Sequence, residues 1–138
     1  MFSRILVPVD LNNVDKLTKA LDIAAQTAKE NDATVVYVGI VDAVPTISTT
    51  TEGERIKAVL DSFTAEQAKT HGIKTADHVM LRGDLHLHVG KDIITAAKDG
   101  NCDLIVMASH IPGIKDHIFS SNAGYVATHA PICVYVIR

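Results

Sequence analysis

Five short runs of consecutive apolar residues, rich in Val and Ile, recur along this chain, and stretches of helical periodicity separate them. No feature constrains the fold more, because a strand that is apolar at every position has to be covered on both faces. The first run, Arg4-Ile5-Leu6-Val7-Pro8-Val9-Asp10, is too short for a helix and is closed by Asp10. The second is Thr34 to Val41 and the third the shorter His78-Val79-Met80-Leu81. The fourth is Leu104 to Ala108 and the fifth Ile132 to Ile137. Each reads as a strand bounded by turn-forming residues.

Each intervening segment carries an apolar stripe. Leu17, Leu21, Ala24, Ala25 and Ala28 predict a first helix, with Asn12 and Asn13 as caps and Asn31-Asp32 as its stop. Asp42 to Thr51, with Pro45 and a Ser/Thr cluster, reads as a loop. Capping-box spacing at Thr51-Glu52-Gly53-Glu54 opens a second helix, with Ile56, Val59, Leu60 and Phe63 as its stripe and an end near His71-Gly72. Leu85, Val89, Ile93 and Ala97 predict a third, although Leu85-His86-Leu87-His88 also alternates like a strand. Ala123, Val126, Ala127 and Ala130 line a fourth, which Pro131 ends. Strands alternating with helices predict the α/β class, a doubly wound five-stranded parallel sheet with helices on both faces and right-handed crossovers. At 138 residues the chain fits one domain, 1–138.

With strand order 3-2-1-4-5, ligands of such sheets bind beyond the carboxyl ends of the first and fourth strands, where the order reverses. That sets Asp10 beside Ala108 and Ser109. The fourth strand runs into Ser109-His110-Ile111-Pro112-Gly113, and a helix begins at Ser120-Ser121-Asn122. Unpaired N–H groups and the helix dipole suit a phosphate there, and the same residue types also serve as plain caps. Asp10, likewise, is suited either to a ligand or to capping the turn that follows it.

Composition excludes several classes. The formal charge of −3, with Lys and Arg scattered, leaves no basic footprint for nucleic acid. No apolar run reaches the roughly 20 residues that cross a bilayer, and Met1-Phe2-Ser3-Arg4 leads into a strand and not a signal peptide, so a cytoplasmic protein is expected. Cys102 and Cys133 lack any disulfide or metal spacing and read as small hydrophobes beside strands. His86 and His88 would point to different faces of a helix and have no further zinc ligands, while Lys115 and His117 read as solvated loop residues. No Ser or Cys triad surrounds His110, and no Walker lysine or arginine finger is evident, so at most slow hydrolysis is expected.

Three stretches carry a family resemblance: Ile5 to Asp10, Asp103-Leu104-Ile105-Val106-Met107-Ala108-Ser109-His110, and His129 to Arg138. In that order, across nearly the whole chain, they resemble the universal stress proteins. The Ala-Ser-His-x-Pro form at Ala108 to Pro112 is similar to the branch that binds adenine nucleotides. The resemblance implies the adenine nucleotide α hydrolase-like arrangement. Val7, Pro8, Val9 and Asp10 then line the adenine and ribose side, Ile40 faces the base, and Gly83 lies near the ligand. Met107, Ala108, Ser109 and His110 continue the pocket. Ser120, Ser121 and Asn122 hold the phosphates, with Mg²⁺ bridging phosphate oxygens and no dedicated protein cage.

The binding members of the family carry Gly, two residues, Gly, nine residues, then Gly followed by Ser or Thr. Here Ala108 stands at the first Gly, no Gly matches the second, and Ser120 and Ser121 fall on the last Gly and its hydroxyl neighbour. The resemblance thus implies a stress-response protein binding ATP or AMP as a sensor or regulator, dimerising through its last strand and acting on an unnamed protein partner. The alternative is a dimeric interaction module that has lost nucleotide binding. A third reading is an enzyme of the wider adenine-nucleotide superfamily.

Overall fold

The computed structural model describes residues 1–42, 48–82, 89–109 and 122–138. Five parallel strands, β1 (Arg4–Val9), β2 (Thr34–Asp42), β3 (Lys74–Arg82), β4 (Leu104–Ala108) and β5 (Cys133–Ile137), form one sheet in the order β3-β2-β1-β4-β5. Among the described residues four α-helices connect them, α1 (Thr18–Asn31), α2 (Ser48–His71), α3 (Val89–Asp99) and α4 (Asn122–His129). The expected α/β class and strand order are both observed.

The continuous apolar strands divide their side chains between two cores. Ile5, Val7 and Val9 of β1, with Val35, Tyr37, Leu104, Val106 and Ala108, pack under Leu17, Ala20, Leu21, Ala24 and Ala28 and under Leu60 and Phe63 of α2. On the other face Leu6, Val36, Val38, Ile105 and Met107 meet Val89, Ile93, Ala96 and Ala97 of α3 and Ala123 and Val126 of α4. The period of two is therefore present although every position is apolar, and only double-sided cover hides it.

Several local expectations are corrected. Asn12 and Asn13 do not cap α1; a 3-10 turn at Val14–Lys16 intervenes, and α1 starts at Thr18 with no side-chain cap from Leu17 before it. The reason is Asp10, whose carboxylate draws both asparagines back (below). The α2 helix begins at Ser48, upstream of the expected capping box, so Thr51 lies inside it. β3 begins at Lys74, four residues before the apolar run, because an edge strand tolerates the polar residues that a central one does not. Val59, with 45% of its surface exposed, leaves the α2 stripe, and Ala127 faces solvent on α4. Cys102 is buried, and burial pushes its thiol pKa up, whereas Cys133 lies exposed on edge strand β5. The alternative strand at Leu85 to His88 falls outside the described residues.

Candidate functional site

β1 holds β2 along its whole length, from Arg4 opposite Thr34 to Val9 opposite Gly39. Its ladder with β4 contains only Ile5 opposite Leu104 and Leu6 opposite Ile105. Beyond that point the two strands stay in the sheet but no longer pair, while β4 pairs with β5 as far as Ala108 opposite Ile137. Pro8 stands in the released part of β1. Proline has no N–H to offer a ladder, and its presence in a central strand fits a position where pairing has been given up. The carboxyl ends of β1 and β4 are thus adjacent in the sheet but unpaired, at the switch point of the strand order.

Asp10 follows β1 at this unpaired end and is only 8% exposed. Its Oδ1 accepts the backbone N–H of Asn12 at 3.0 Å, and its Oδ2 accepts Nδ2 of Asn13 at 2.8 Å. The backbone N–H of Asn13 also bonds to the Asp10 carbonyl at 3.0 Å. The carboxylate is thus clamped in an Asx-type turn. An ionised carboxylate offers about four acceptor positions, so two protein donors leave capacity for hydroxyl or amino donors of a ligand.

The other expected site residues fall into three groups. Val7, Val9 and Met107 are buried in the cores, so only their backbone is placed to meet a ligand. Ala108 ends β4, and Ser109 follows it with its N–H bonded to the Ile137 carbonyl at 2.9 Å and its hydroxyl near the same oxygen at 3.4 Å. Ser109 therefore ties β4 to β5, and its hydroxyl is directed to that side of the strand. Ile40 lies in β2 opposite Met80, and its side chain is outside the described part. Gly83, His110, Ser120 and Ser121 also lie outside the described residues.

Asn122 is the first residue of α4, and its Oδ1 accepts the backbone N–H of Gly90, in the first turn of α3, at 3.1 Å. The two helices differ electrostatically. α3 has Asp92 in its first turn, which complements its dipole, whereas the first turn of α4 has no acidic residue. Among the described residues, no group of three His, Cys, Asp or Glu could hold a metal ion, and no helix is long and apolar enough to cross a membrane. Sequence reasoning missed Gly90 and Tyr125 at this end of the sheet. A glycine inside an apolar helical stripe was the available signal.

A sequence profile of the universal stress protein family matches residues 1–138. The chain belongs to the universal stress protein family. Solved members of this family share its fold. A universal stress protein from Archaeoglobus fulgidus superposes with a TM-score of 0.71 at 24% identity, covering 100% of both chains. The universal stress protein from Archaeoglobus fulgidus in complex with dAMP gives a TM-score of 0.70 at 22% identity, over 99% of this chain and 98% of that one. A universal stress protein in complex with cAMP gives 0.72 at 16% identity, over 99% of this chain and 97% of that one. The expected family and its five-stranded architecture both stand.

Proposed function

We propose that this universal stress protein binds an adenine nucleotide, ATP or AMP, in the cleft between β1 and β4 and acts as a nucleotide-dependent sensor or regulator in the cytoplasm. The observation that carries the reading is the loss of β1–β4 pairing after Leu6 and Ile105, with Asp10 clamped at the mouth of the gap. Two family relatives solved with dAMP and cAMP support the choice of an adenine nucleotide. Asp10, a buried acceptor, suits ribose hydroxyls and not phosphates. The phosphates then extend toward Ser120, Ser121 and the first turn of α4, where the absence of acidic residues and the helix dipole favour an anion. Mg²⁺ would be held chiefly by phosphate oxygens and water, as is usual for this ion. When bound, it would neutralise phosphate charge.

Calorimetry on nucleotide-stripped protein tests the reading. Binding of ATP with Mg²⁺, and of AMP, is expected at micromolar to millimolar concentration. No heat at millimolar ATP rejects it. Hydrolysis is expected to be slow at most, read as product formed over hours.

The second reading, a dimeric interaction module without nucleotide, draws on Ala108 and Ser120 at positions where nucleotide-binding relatives have Gly. Both readings share a homodimer through β5. That edge carries Val134, Tyr135 and Val136, with Tyr135 38% and Val136 36% exposed. The opposite edge, β3, is instead blunted by charge, with Lys57 bridging Asp61 and Asp77 and with Lys74 paired to Asp32. An apolar edge with open ladder groups suits pairing with a second copy about a two-fold axis. Sedimentation of wild type against Val136→Lys tests it: a dimer that becomes a monomer is expected, and a monomeric wild type rejects it.

A further inference from the structure

At the start of α3 and α4, three residues from two helices are locked together. Asn122 Oδ1 accepts the N–H of Gly90 at 3.1 Å, so one of the first-turn donors that α3 cannot satisfy within itself is capped from α4. One turn on, the Tyr125 ring lies against the Gly90 backbone. A Cβ added at Gly90 would come within 2.7 Å of Tyr125 Cδ1 and 3.2 Å of its Cγ, far closer than side chains pack. Glycine at this position is therefore demanded by close approach and not by backbone twist. The ring is held in turn by His129, which stacks on it with centroids 4.1 Å apart and 19° between planes, while His129 Nδ1 meets the Tyr125 carbonyl at 2.9 Å.

Both helices begin at the carboxyl end of the sheet, where β3 and β4 end, so fixing their first turns to each other fixes two positive dipole ends relative to the cleft. A hydrogen bond alone would allow the helices to pivot. The Tyr125 ring occupies the space where a Gly90 side chain would stand, although 40% of the residue is exposed, and so limits that freedom on the side where the two helices meet. We infer that Gly90, Asn122 and Tyr125 form a clasp that positions the first turn of α4 for the phosphates of the bound nucleotide. The inference rests on the nucleotide reading above. None of the three needs to touch the ligand; they act as positioning residues.

The test compares ATP with adenosine, since only the phosphate end depends on the clasp. Wild type, Asn122→Ala, Gly90→Ala, Tyr125→Ala and the double variant Gly90→Ala/Tyr125→Ala are titrated with each ligand by calorimetry. Gly90→Ala and Asn122→Ala are expected to weaken ATP by about fivefold to tenfold, the scale of a helix N-terminus acting on an anion, and to leave adenosine within twofold. Tyr125→Ala is expected to weaken ATP by a similar factor, and the double variant, which lacks both the ring and the clash, to bind ATP within threefold of Tyr125→Ala alone. An equal loss for ATP and adenosine, or a double variant weaker than Tyr125→Ala by the full factor seen for Gly90→Ala in wild type, overturns the clasp. Folding of each variant is read from amide exchange, in which faster exchange at Gly90 in Asn122→Ala is expected against an unchanged β1. Exchange at Gly90 equal to wild type also overturns it. If wild type binds neither ligand, the nucleotide reading itself has failed and takes this inference with it. Normal ATP binding with an unchanged ATP-to-adenosine ratio in the variants removes the clasp alone.

Discussion

At its N-terminal end β1 is tied to the segments on both sides of it, whereas at its C-terminal end the same strand releases β4 while keeping β2. The tied end is dense in hydrogen bonds. Asp103 accepts the N–H of Ser3 at 2.9 Å, the Ser3 hydroxyl at 3.0 Å and the N–H of Arg4 at 3.1 Å. Arg4 Nε reaches the Gly100 carbonyl at 2.7 Å, Asn31 Oδ1 accepts the N–H of Phe2 at 3.1 Å, and Thr34 donates its N–H to the Ser3 carbonyl at 3.0 Å. At the released end Pro8 donates nothing, the β1–β4 ladder has stopped, and Asp10 bonds only locally to Asn12 and Asn13 among the partners described here. One end spends its polar groups on the fold. The other keeps acceptor capacity at a gap, which is what a ligand needs.

The contrast predicts opposite outcomes for two aspartates. Asp103→Ala leaves the N–H groups of exposed Ser3 and half-buried Arg4 to water and is expected to lower unfolding free energy by about 1.5 to 2 kcal/mol, the lower part of the range for hydrogen bonds to a charged group. Urea denaturation reads it, and ATP affinity of the folded variant should be unchanged. Asp10→Ala is expected to do the reverse. Loss of the local turn costs about 1 kcal/mol of stability, comparable to a cap. Loss of a buried charged acceptor for the ribose weakens ATP by about thirtyfold, equivalent to about 2 kcal/mol. If Asp10→Ala destabilises the protein by more than Asp103→Ala and leaves ATP binding intact, the two ends have been assigned the wrong way round.

A smaller effect tests the phosphate side of the released end. The resemblance to nucleotide-binding universal stress proteins sets Ser120 against the last glycine of their loop pattern. A Cβ disfavours the left-handed region by roughly 1 to 2 kcal/mol, so Ser120→Gly is expected to tighten ATP by about tenfold with adenosine unchanged. Unchanged ATP affinity in that variant would show that no such backbone geometry is needed, and would favour the interaction-module reading if wild type also binds weakly.

Continuous apolar strands alternating with helices made the α/β class legible, whereas the order 3-2-1-4-5, which alternation alone does not select, comes with the family fold, and Asp10 at the switch point follows once that order is taken. Finer features depended on competition between local options. Asp10, Asn12 and Asn13 form a self-contained turn, so the asparagines that look like caps for α1 are engaged before the helix begins. The capping-box spacing from Thr51 to Glu54 is real in sequence but lies within a helix that starts at Ser48. Lys74 to Asp77 has too little apolar character to read as a strand, since an edge needs cover on fewer sides than the centre. Release of β4 from β1 had only Pro8 as a sign, and the packing of Tyr125 on Gly90 is a meeting of two helices that no local pattern encodes.

The smallest expected effect concerns protons at the tied end. Burial alone would raise the Asp103 carboxyl, but the hydrogen bonds from Ser3 and Arg4 outweigh it and hold the group below the usual carboxylate range. A carboxyl whose folded value is depressed binds more protons when unfolded, so its contribution is fully present above about pH 4 and is lost as pH falls through the folded value. Asp103→Asn lacks that titration. Its stability deficit against wild type, measured by urea at pH 6 and again at pH 3, is therefore expected to shrink at the lower pH. A deficit at Asp103 that is equal at both pH values would mean that its hydrogen bonds serve the fold without favouring the ionised form, and the tied end would then owe its strength to geometry and not to charge.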